Sequence, residues 1–208
     1  MFIINRSIVV LLRKILRKLI RPGTYFSYSN SSQFKKSLSN EIDFTQINPC
    51  ENGSLHIISE PNQINQMVES GYIFNSPTDL QKIKTQFNNS FLLFVYFINK
   101  KLAHISWVSL SDNPNTFHWY LKKIDFSEEG YIGPCYTYPD QRGKGIYPYV
   151  LLCICEELRK RGFNRALIDT KKSHTASIKG IEKAGFDESK SIRFCKILFL
   201  KIWNEKVA

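Results

Sequence analysis

A short glycine-containing segment between a predicted strand and a predicted helix constrains the fold of this chain most strongly. Residues 131–138 are typical of a strand, DQRGKG follows at 140–145, and the next run has helical apolar spacing. A glycine loop at a helix N-terminus collects unpaired amide groups at the positive end of the helix dipole, and such an arrangement binds anions. Arg142 and Lys144 add positive charge. The segment therefore predicts a site for phosphate groups.

The spacing of the glycines excludes two well-known phosphate loops. A P-loop requires G-x-x-x-x-G-K-[ST], and a dinucleotide fold requires G-x-G-x-x-G early in its first βαβ unit. In this chain Lys144 is followed by Gly145, and Pro148 stands where the third dinucleotide glycine would be. The predicted phosphate site therefore belongs to neither class.

Two elements within residues 135–186 resemble the GNAT superfamily of acyl-CoA-dependent N-acyltransferases. In that family Arg-x-x-Gly-x-Gly/Ala follows the fourth strand and binds the CoA pyrophosphate, and RGKGIY at 142–147 is similar to it. The second family element, Asn-x-x-Ser/Ala followed by Glu-Lys-x-Gly-Phe, is similar to HTAS at 174–177 and EKAGF at 182–186. The resemblance implies an α/β (α+β) GNAT fold, in which helices flank a mixed, mostly antiparallel central sheet.

The resemblance also implies acetyl-CoA as the acyl donor. In the family the strand before the loop splays from its neighbour, the donor enters the gap, and the pantetheine pairs with the backbone of that strand. Carried over to this chain, the residues implied to bind the donor are Tyr136, Thr137, Tyr138, Arg142, Gly143, Lys144, Gly145, Ile146, Tyr147, His174 and Ser177.

The implied reaction is transfer of an acetyl group from acetyl-CoA to a primary amine. The acceptor is expected to be a small molecule or an amino sugar, envelope precursors included. The amine attacks the thioester directly in a ternary complex, and a backbone N–H holds the oxyanion, so no covalent enzyme intermediate is implied. Because an ammonium group with a pKa of ~10 is not a nucleophile, a base or a water chain must first remove a proton.

Three positions depart from the family pattern. Tyr147 fills a position usually held by a small residue, His174 replaces the family's Asn, and Ile181 lies where many members place a general-acid tyrosine. These departures motivate one alternative, a catalytically inactive GNAT-fold module that binds acyl-CoA. A second alternative is a membrane-surface acyltransferase that acts on a lipid-linked acceptor.

The residues that move protons are not assigned by the sequence. Glu128 and Glu129 precede the fourth strand, and they are either candidates for the base or part of a solvated acidic loop. Protonation of the CoA thiolate is left to one of several groups, namely Tyr136, Tyr138, Tyr149, Ser177 or water.

Histidine and cysteine side chains leave further alternatives open. His104 and His118 lie in predicted strands, where each either lines the acceptor cleft or is hydrogen-bonded within the sheet. His174 either contacts the pantetheine or caps the following helix, and Ser177 either faces the thiol or permits close packing. Cys135 lacks a recognisable histidine partner, so we interpret it as a structural cysteine.

The cysteine and histidine pattern bears on metals and on location. The five cysteines form no C-x-x-C pair, and the four histidines lack the paired spacing of zinc ligands. We therefore expect no metal site. Reduced, mostly buried thiols are typical of a cytoplasmic protein.

The formal net charge of +11 is concentrated before Glu41. Eight of the 29 basic residues and none of the acidic residues precede Glu41, which leaves 21 basic against 18 acidic residues in the rest of the chain. A nucleic-acid-binding body would keep a strong basic stripe of its own, so nucleic acid is not expected as a partner.

Residues 1–21 have the pattern of a basic amphipathic helix. Aliphatic residues recur at helical spacing from Ile8 to Leu19, arginines line another face, and Pro22 and Gly23 end the pattern. The charge-free stretch after Arg6 is too short to span a bilayer. Such a helix lies on an anionic membrane surface, or it docks on its own domain or on a partner subunit. The expected location is cytoplasmic or peripheral at the inner face of the membrane, and the oligomeric state is open, with a homodimer as one option.

The chain divides at residue 40 in this interpretation. Residues 1–40 comprise the basic helix and, at 27–40, a polar linker or lightly packed loop, and the GNAT acyltransferase domain occupies 41–208. Strands are predicted at 55–59, 91–98, 102–110, 117–121, 131–138 and 165–169, with one or two more at 192–203. Helices are predicted at 61–70, 76–88 and 176–184, and between Gly145 and Gly162.

Overall fold

The computed structural model describes residues 26–45, 47, 52–75, 80–81, 83, 91–111, 124–197 and 200–207. The strands are β1 (Phe26–Ser37), β2 (Gly53–Ile58), β3 (Phe91–Ile98), β4 (Lys101–Ser109), β5 (Glu129–Thr137), β6 (Arg165–Lys171), β7 (Asp187–Ile197) and β8 (Leu200–Val207). The helices with given bounds are α1 (Pro61–Glu69), α2 (Ile146–Lys160) and α3 (Thr175–Lys183).

These strands form one sheet in the order β2-β3-β4-β5-β6-β1-β7-β8. Strands β5 and β6 run parallel, and the other neighbouring pairs are antiparallel. A parallel pair needs a crossover connection, and α2 supplies it between the end of β5 and the start of β6. The predicted mixed, mostly antiparallel sheet flanked by helices is confirmed.

Helix α2 covers the centre of one face of the sheet. Val150, Ile154 and Leu158 recur every four residues and are fully buried, as expected for an amphipathic helix with one apolar stripe. They belong to the same core cluster as Ile132 of β5 and Ile168 of β6. This packing holds the N-terminal end of α2 beside the point where β5 ends.

Helix α1 belongs to a second core cluster, which contains other side chains of the same strands. Ile64 and Met67 of α1 pack in this cluster with Leu93 and Phe97 of β3. Strand β3 is buried along nearly its whole length, because alternate side chains enter the two clusters. The dense apolar run at 91–98 is therefore a central strand, as predicted.

The prediction of a polar linker at 27–40 is wrong. Residues Phe26–Ser37 form β1, which pairs with β6 on one side and with β7 on the other. Its serines and Gln33 lack the apolar alternation of a half-buried strand, but the two flanking strands bury Ser31, Ser32 and Gln33 and pair with the backbone. The sheet therefore begins at Phe26, well before the predicted domain boundary at 41.

Most other predicted elements are confirmed within one to three residues, and the C-terminal prediction resolves into the hairpin of β7 and β8. The predicted helix at 1–21 and the strand at 117–121 lie outside the described residues, and so does most of the helix at 76–88. No helix within the described ranges has the length and apolar content needed to cross a bilayer.

Candidate active site

Strands β5 and β6 separate partway along their length. They pair from Glu129 to Ile132, opposite Arg165 to Ile168. Beyond that point β5 continues beside β4 and β6 continues beside β1, so the facing edges of residues 133–137 and 169–171 have no ladder between them. We call this opening the fork. The splay implied by the family resemblance is therefore present.

A bulge turns β5 at the fork. The register between β4 and β5 shifts between Ser106 and Val108, opposite Gly133, whose φ is +145°. After the bulge, the amide of Tyr138 donates to the carbonyl oxygen of Ala103 in β4 at 3.0 Å. Backbone groups of an extended strand alternate in direction, so those of Thr137 point into the fork. An extended ligand can pair with this edge.

The glycine loop, residues 142–145, is the last part of the connection from β5 to α2. Gly143 and Gly145 have φ values of +78° and +72°, a left-handed conformation in which glycine carries no steric cost. A Cβ at either position would have no heavy atom within 4 Å, so the space beside both glycines is open. Since α2 has no capping side chain and no acidic residue in its first turn, its N-terminal amides remain suited to an anion.

The two cations of the loop are exposed and held in place. Arg142 donates from Nε to the carbonyl oxygen of Thr137 at 3.1 Å, and its guanidinium lies 5.9 Å from the ring centroid of Tyr136. Lys144 donates from Nζ to Oε1 of Gln141 at 2.7 Å. The residues predicted to bind phosphate therefore lie together on one open loop beside the fork.

Tyr136 and Tyr138 form an aromatic pair beside the loop. Their ring centroids are 5.1 Å apart in an edge-to-face arrangement, and 48% of Tyr136 is exposed. The pair can contact a bound donor or acceptor, and Tyr138 also packs partly into the second core cluster.

His104 of β4 is buried beside Thr137 of β5, and both of its ring nitrogens are hydrogen-bonded. Nδ1 lies 2.6 Å from Oγ1 of Thr137, and Nε2 lies 2.7 Å from Oγ of Ser106. Burial lowers the pKa of His104 from 6.5 to about 3, so the ring is neutral at pH 7. Of the two alternatives for His104, the structure shows the histidine that is hydrogen-bonded within the sheet. His118 lies outside the described residues.

The buried, neutral His104 predicts a pH-dependent stability. Between pH 6.5 and about 3 the unfolded chain takes up a proton that the folded protein does not, so the stabilisation is complete above pH 6.5 and is lost as the pH falls. The loss is about 1.4 kcal/mol per pH unit. Urea unfolding at pH 7 and pH 5 should show wild type losing about 2 kcal/mol more than His104→Gln. The same loss in both proteins would contradict a neutral buried ring.

Tyr147 points away from the glycine loop and lies against α3. A Cβ on Gly180 would lie 2.6 Å from Cδ1 of Tyr147, so the glycine makes room for the ring. Tyr147 is hydrogen-bonded to Ser177 of α3, and its ring centroid is 5.7 Å from that of His104. Burial raises the pKa of Tyr147 well above its usual value. The large side chain at this position therefore leaves the space beside the loop glycines open.

Other tyrosine and aliphatic positions do not reach the fork. Ile181 is fully buried in the main core cluster. Tyr149 packs its ring against Tyr96 and Phe44, with centroid distances of 5.9 and 6.2 Å, and burial raises its pKa to about 12. Both side chains therefore contribute to the packing of the main core cluster.

Cys135 lies in the fork but is not activated. Burial raises the pKa of its thiol to about 12, and a hydrogen bond with Ser106 opposes this shift only in part. A thiol of this kind stays protonated at neutral pH and is a poor nucleophile. The interpretation of Cys135 as a structural cysteine agrees with this environment. Within the described ranges, no group of three or more His, Cys, Asp and Glu residues is arranged to hold a metal ion.

The second family element lies at the N-terminus of α3. His174 occupies the N-cap position and is exposed, but its side chain makes no capping hydrogen bond. Ser177 follows in the first turn and bonds to Tyr147. Ser177 and Tyr147 therefore lie together on the α3 side, while His174 faces solvent.

Glu128 and Glu129 lie at the closed end of the β5–β6 pair. Glu129 accepts a hydrogen bond from Nε of Arg165 at 2.9 Å, and Glu128 accepts one from Asn164. Glu129 is four residues before the bulge, about 13 Å of extended chain away. The geometry thus separates both carboxylates from the fork.

The sequence reasoning missed Asp169 and Tyr131. The Tyr131 hydroxyl donates to Oδ1 of Asp169, and Asp169 is the first residue of β6 beyond its pairing with β5. A signal was present, because Asp169 ends the buried strand predicted at 165–169, and sites in α/β sheets gather at the carboxyl ends of parallel strands.

Comparison with known proteins assigns the class of this fold. The Acetyltransferase (GNAT) family profile matches residues 62–186, more than half of the chain. The chain belongs to the Acetyltransferase (GNAT) family, and the resemblance stated from residues 135–186 is confirmed. Acetyl-CoA is the acyl donor of this family. No curated protein matches the chain at a significant level.

Solved structures support the fold assignment. An acetyltransferase of the GNAT family from Colwellia psychrerythraea is 18% identical, with a TM-score of 0.52 over 89% of this chain and 62% of that one. A Drosophila protein is 9% identical, with a TM-score of 0.52 over 93% and 58%. A GCN5-related N-acetyltransferase-like protein from Streptococcus suis is 13% identical, with a TM-score of 0.52 over 93% and 68%. This chain thus spans about three-fifths of the first two proteins.

Proposed function

We propose that this protein transfers an acetyl group from acetyl-CoA to the primary amine of a small molecule or an amino sugar. The observation that carries the proposal is the position of the fork, which opens after Ile132 and continues along β5 toward the glycine loop. One extended ligand with a phosphate end can therefore occupy both features.

The donor fits this site in two parts. The pantetheine amides pair with the edge of β5, where the N–H of Thr137 points into the fork beside the carbonyl that accepts from Arg142. The pyrophosphate lies on the amides of the glycine loop and the first turn of α2, beside Arg142 and Lys144. The two halves of the donor site thus match the two halves of CoA.

Direct attack suits the fork better than a covalent intermediate. The thiol of Cys135 lies in the fork, and it is protonated at neutral pH. An amine that enters the fork can attack the thioester carbonyl, while backbone N–H groups of β5 stabilise the oxyanion. The reaction then needs no nucleophile from the protein.

The inactive acyl-CoA-binding module is the second candidate, and the buried Ile181 favours it. Family members with a tyrosine at this position have a proton donor for the thiolate, whereas Ile181 supplies none. Binding and turnover therefore have to be measured separately.

The experiment combines calorimetry with a thiol-release assay. Full-length protein is titrated with acetyl-CoA and then incubated with amino sugars, amino acids and alkyl diamines, while free CoA is detected with a thiol reagent. We expect saturable binding and amine-dependent CoA release above the hydrolysis rate. Binding without release over the whole panel would favour the inactive module, and absence of binding would reject both candidates.

A further inference from the structure

Asp169 places a carboxylate at the opening of the fork. Strands β5 and β6 last pair at Ile132 and Ile168, and Asp169 follows at once. Ile168 points into the core beneath α2, so the next side chain along the strand points to the opposite face. The carboxylate is partly exposed and lies where the two strands separate.

Tyr131 fixes the orientation of this carboxylate. Its hydroxyl donates to Oδ1 of Asp169, and its ring is 4% exposed and packs with Leu167, Ile124 and Phe126. A ring held in this way keeps the hydroxyl in one place. The hydrogen bond therefore holds the carboxylate in a defined position.

The surroundings of Asp169 link it to both sides of the fork. Tyr131 and Cys135 of β5 and Tyr147 of α2 are titratable groups that interact with it, and on β1 its register partner is the uncharged Gln33. Glu129 is paired with Arg165 at the closed end of the strands, farther from the opening. Asp169 is thus a carboxylate within reach of the position where the proposed acceptor meets the thioester.

We propose that Asp169 binds the ammonium group of the acceptor and takes its proton. The proposal rests on the proposed function and extends it by naming the proton acceptor. One ammonium proton passes to the carboxylate, and the nitrogen lone pair forms the C–N bond. The C–S bond breaks and its electrons go to sulfur. The second proton that the nitrogen loses ends on the thiol of CoA, and Asp169 returns its proton to solvent.

The first test is Asp169→Asn, which keeps an oxygen able to accept from Tyr131 and removes the charge. We expect kcat/KM for the amine to fall by at least about 100-fold. The Kd of acetyl-CoA should stay within about threefold, since the donor site is separate. Asp187→Asn removes an exposed carboxylate at the start of β7 and serves as the matched control, with unchanged kinetics.

The second test is Tyr131→Phe, measured as kcat and KM for the amine. Loss of the hydrogen bond releases the Asp169 carboxylate from its fixed orientation, so kcat should fall by about tenfold while the Kd of acetyl-CoA stays within about threefold. Because both residues serve one function, adding Tyr131→Phe to Asp169→Asn should cause no further loss. Additive losses in the double variant would show that Tyr131 does not act through Asp169.

The outcomes separate this proposal from the proposed function. If wild type acetylates an amine and Asp169→Asn keeps more than a third of the activity, the role of Asp169 is overturned while the proposed function stands. If wild type binds acetyl-CoA and acetylates no amine, both are overturned. Selective loss of turnover in Asp169→Asn, with no further loss in the double variant, supports both.

Discussion

Replacing both loop glycines by aspartate, in a Gly143→Asp, Gly145→Asp variant, is expected to weaken acetyl-CoA binding by at least about 100-fold, or about 2.7 kcal/mol. Each aspartate would place a negative charge beside the pyrophosphate, and like charges about 4 Å apart near a protein surface repel by several kcal/mol. Since a Cβ on either glycine would have no heavy atom within 4 Å, the new side chains fit without a clash. Calorimetry on both proteins measures the effect.

The control for this variant is Gly143→Asn, Gly145→Asn. Asparagine has nearly the shape of aspartate and the same tolerance of left-handed φ, so both variants carry the backbone cost at +78° and +72°. The asparagine variant should bind acetyl-CoA at least about tenfold more tightly than the aspartate variant. Equal losses in the two variants would show that shape, not charge, explains the effect. Unchanged binding by the aspartate variant would place the pyrophosphate elsewhere.

Phe34→Ala is expected to lower the free energy of unfolding by about 3–5 kcal/mol. Phe34 lies in β1, is 1% exposed and belongs to the main core cluster, so truncation leaves a cavity between the sheet and the helices. A loss of this size is a large part of the total stability of a typical domain. Urea unfolding followed by circular dichroism measures it.

Lys35→Ala is the matched control for Phe34→Ala. Lys35 is the next residue of the same strand, and its side chain is exposed on the other face. Its removal should change the free energy of unfolding by less than about 0.5 kcal/mol. If Phe34→Ala were equally mild, β1 would contribute no more than a linker, and the central position of this strand would be refuted.

The segment from β5 to α3 could be predicted because its signals are local. The apolar stripe of α2, the glycines before it and the buried run of β6 each fit within a short window, and the structure places each as predicted. The fork was implied by resemblance alone, since where two strands separate depends on their pairing and not on either sequence. Gly133 and Pro134 directly after Ile132 indicate an irregularity in β5, but they do not show that β6 separates from it after Ile168.

The parts that escaped prediction depend on distant contacts. β1 is polar and is a strand only because β6 and β7 enclose it. The bond from Tyr131 to Asp169 joins residues 38 positions apart, and neither residue belongs to a family motif quoted from the sequence. His104 could be placed in a strand, but its partner Thr137 could not be identified before the register of β4 and β5 was known.

The central position of β1 also sets the order in which the chain can fold during synthesis. Ser37 pairs with Arg165, and Phe26 pairs with Ile197. This strand therefore cannot form its ladders until most of the polypeptide has left the ribosome. At 5–20 residues per second that interval is on the order of ten seconds or more. During it neither the ladder between β1 and β6 nor the ladder between β1 and β7 can form. A serine-rich, weakly hydrophobic strand is well suited to remain soluble over that interval.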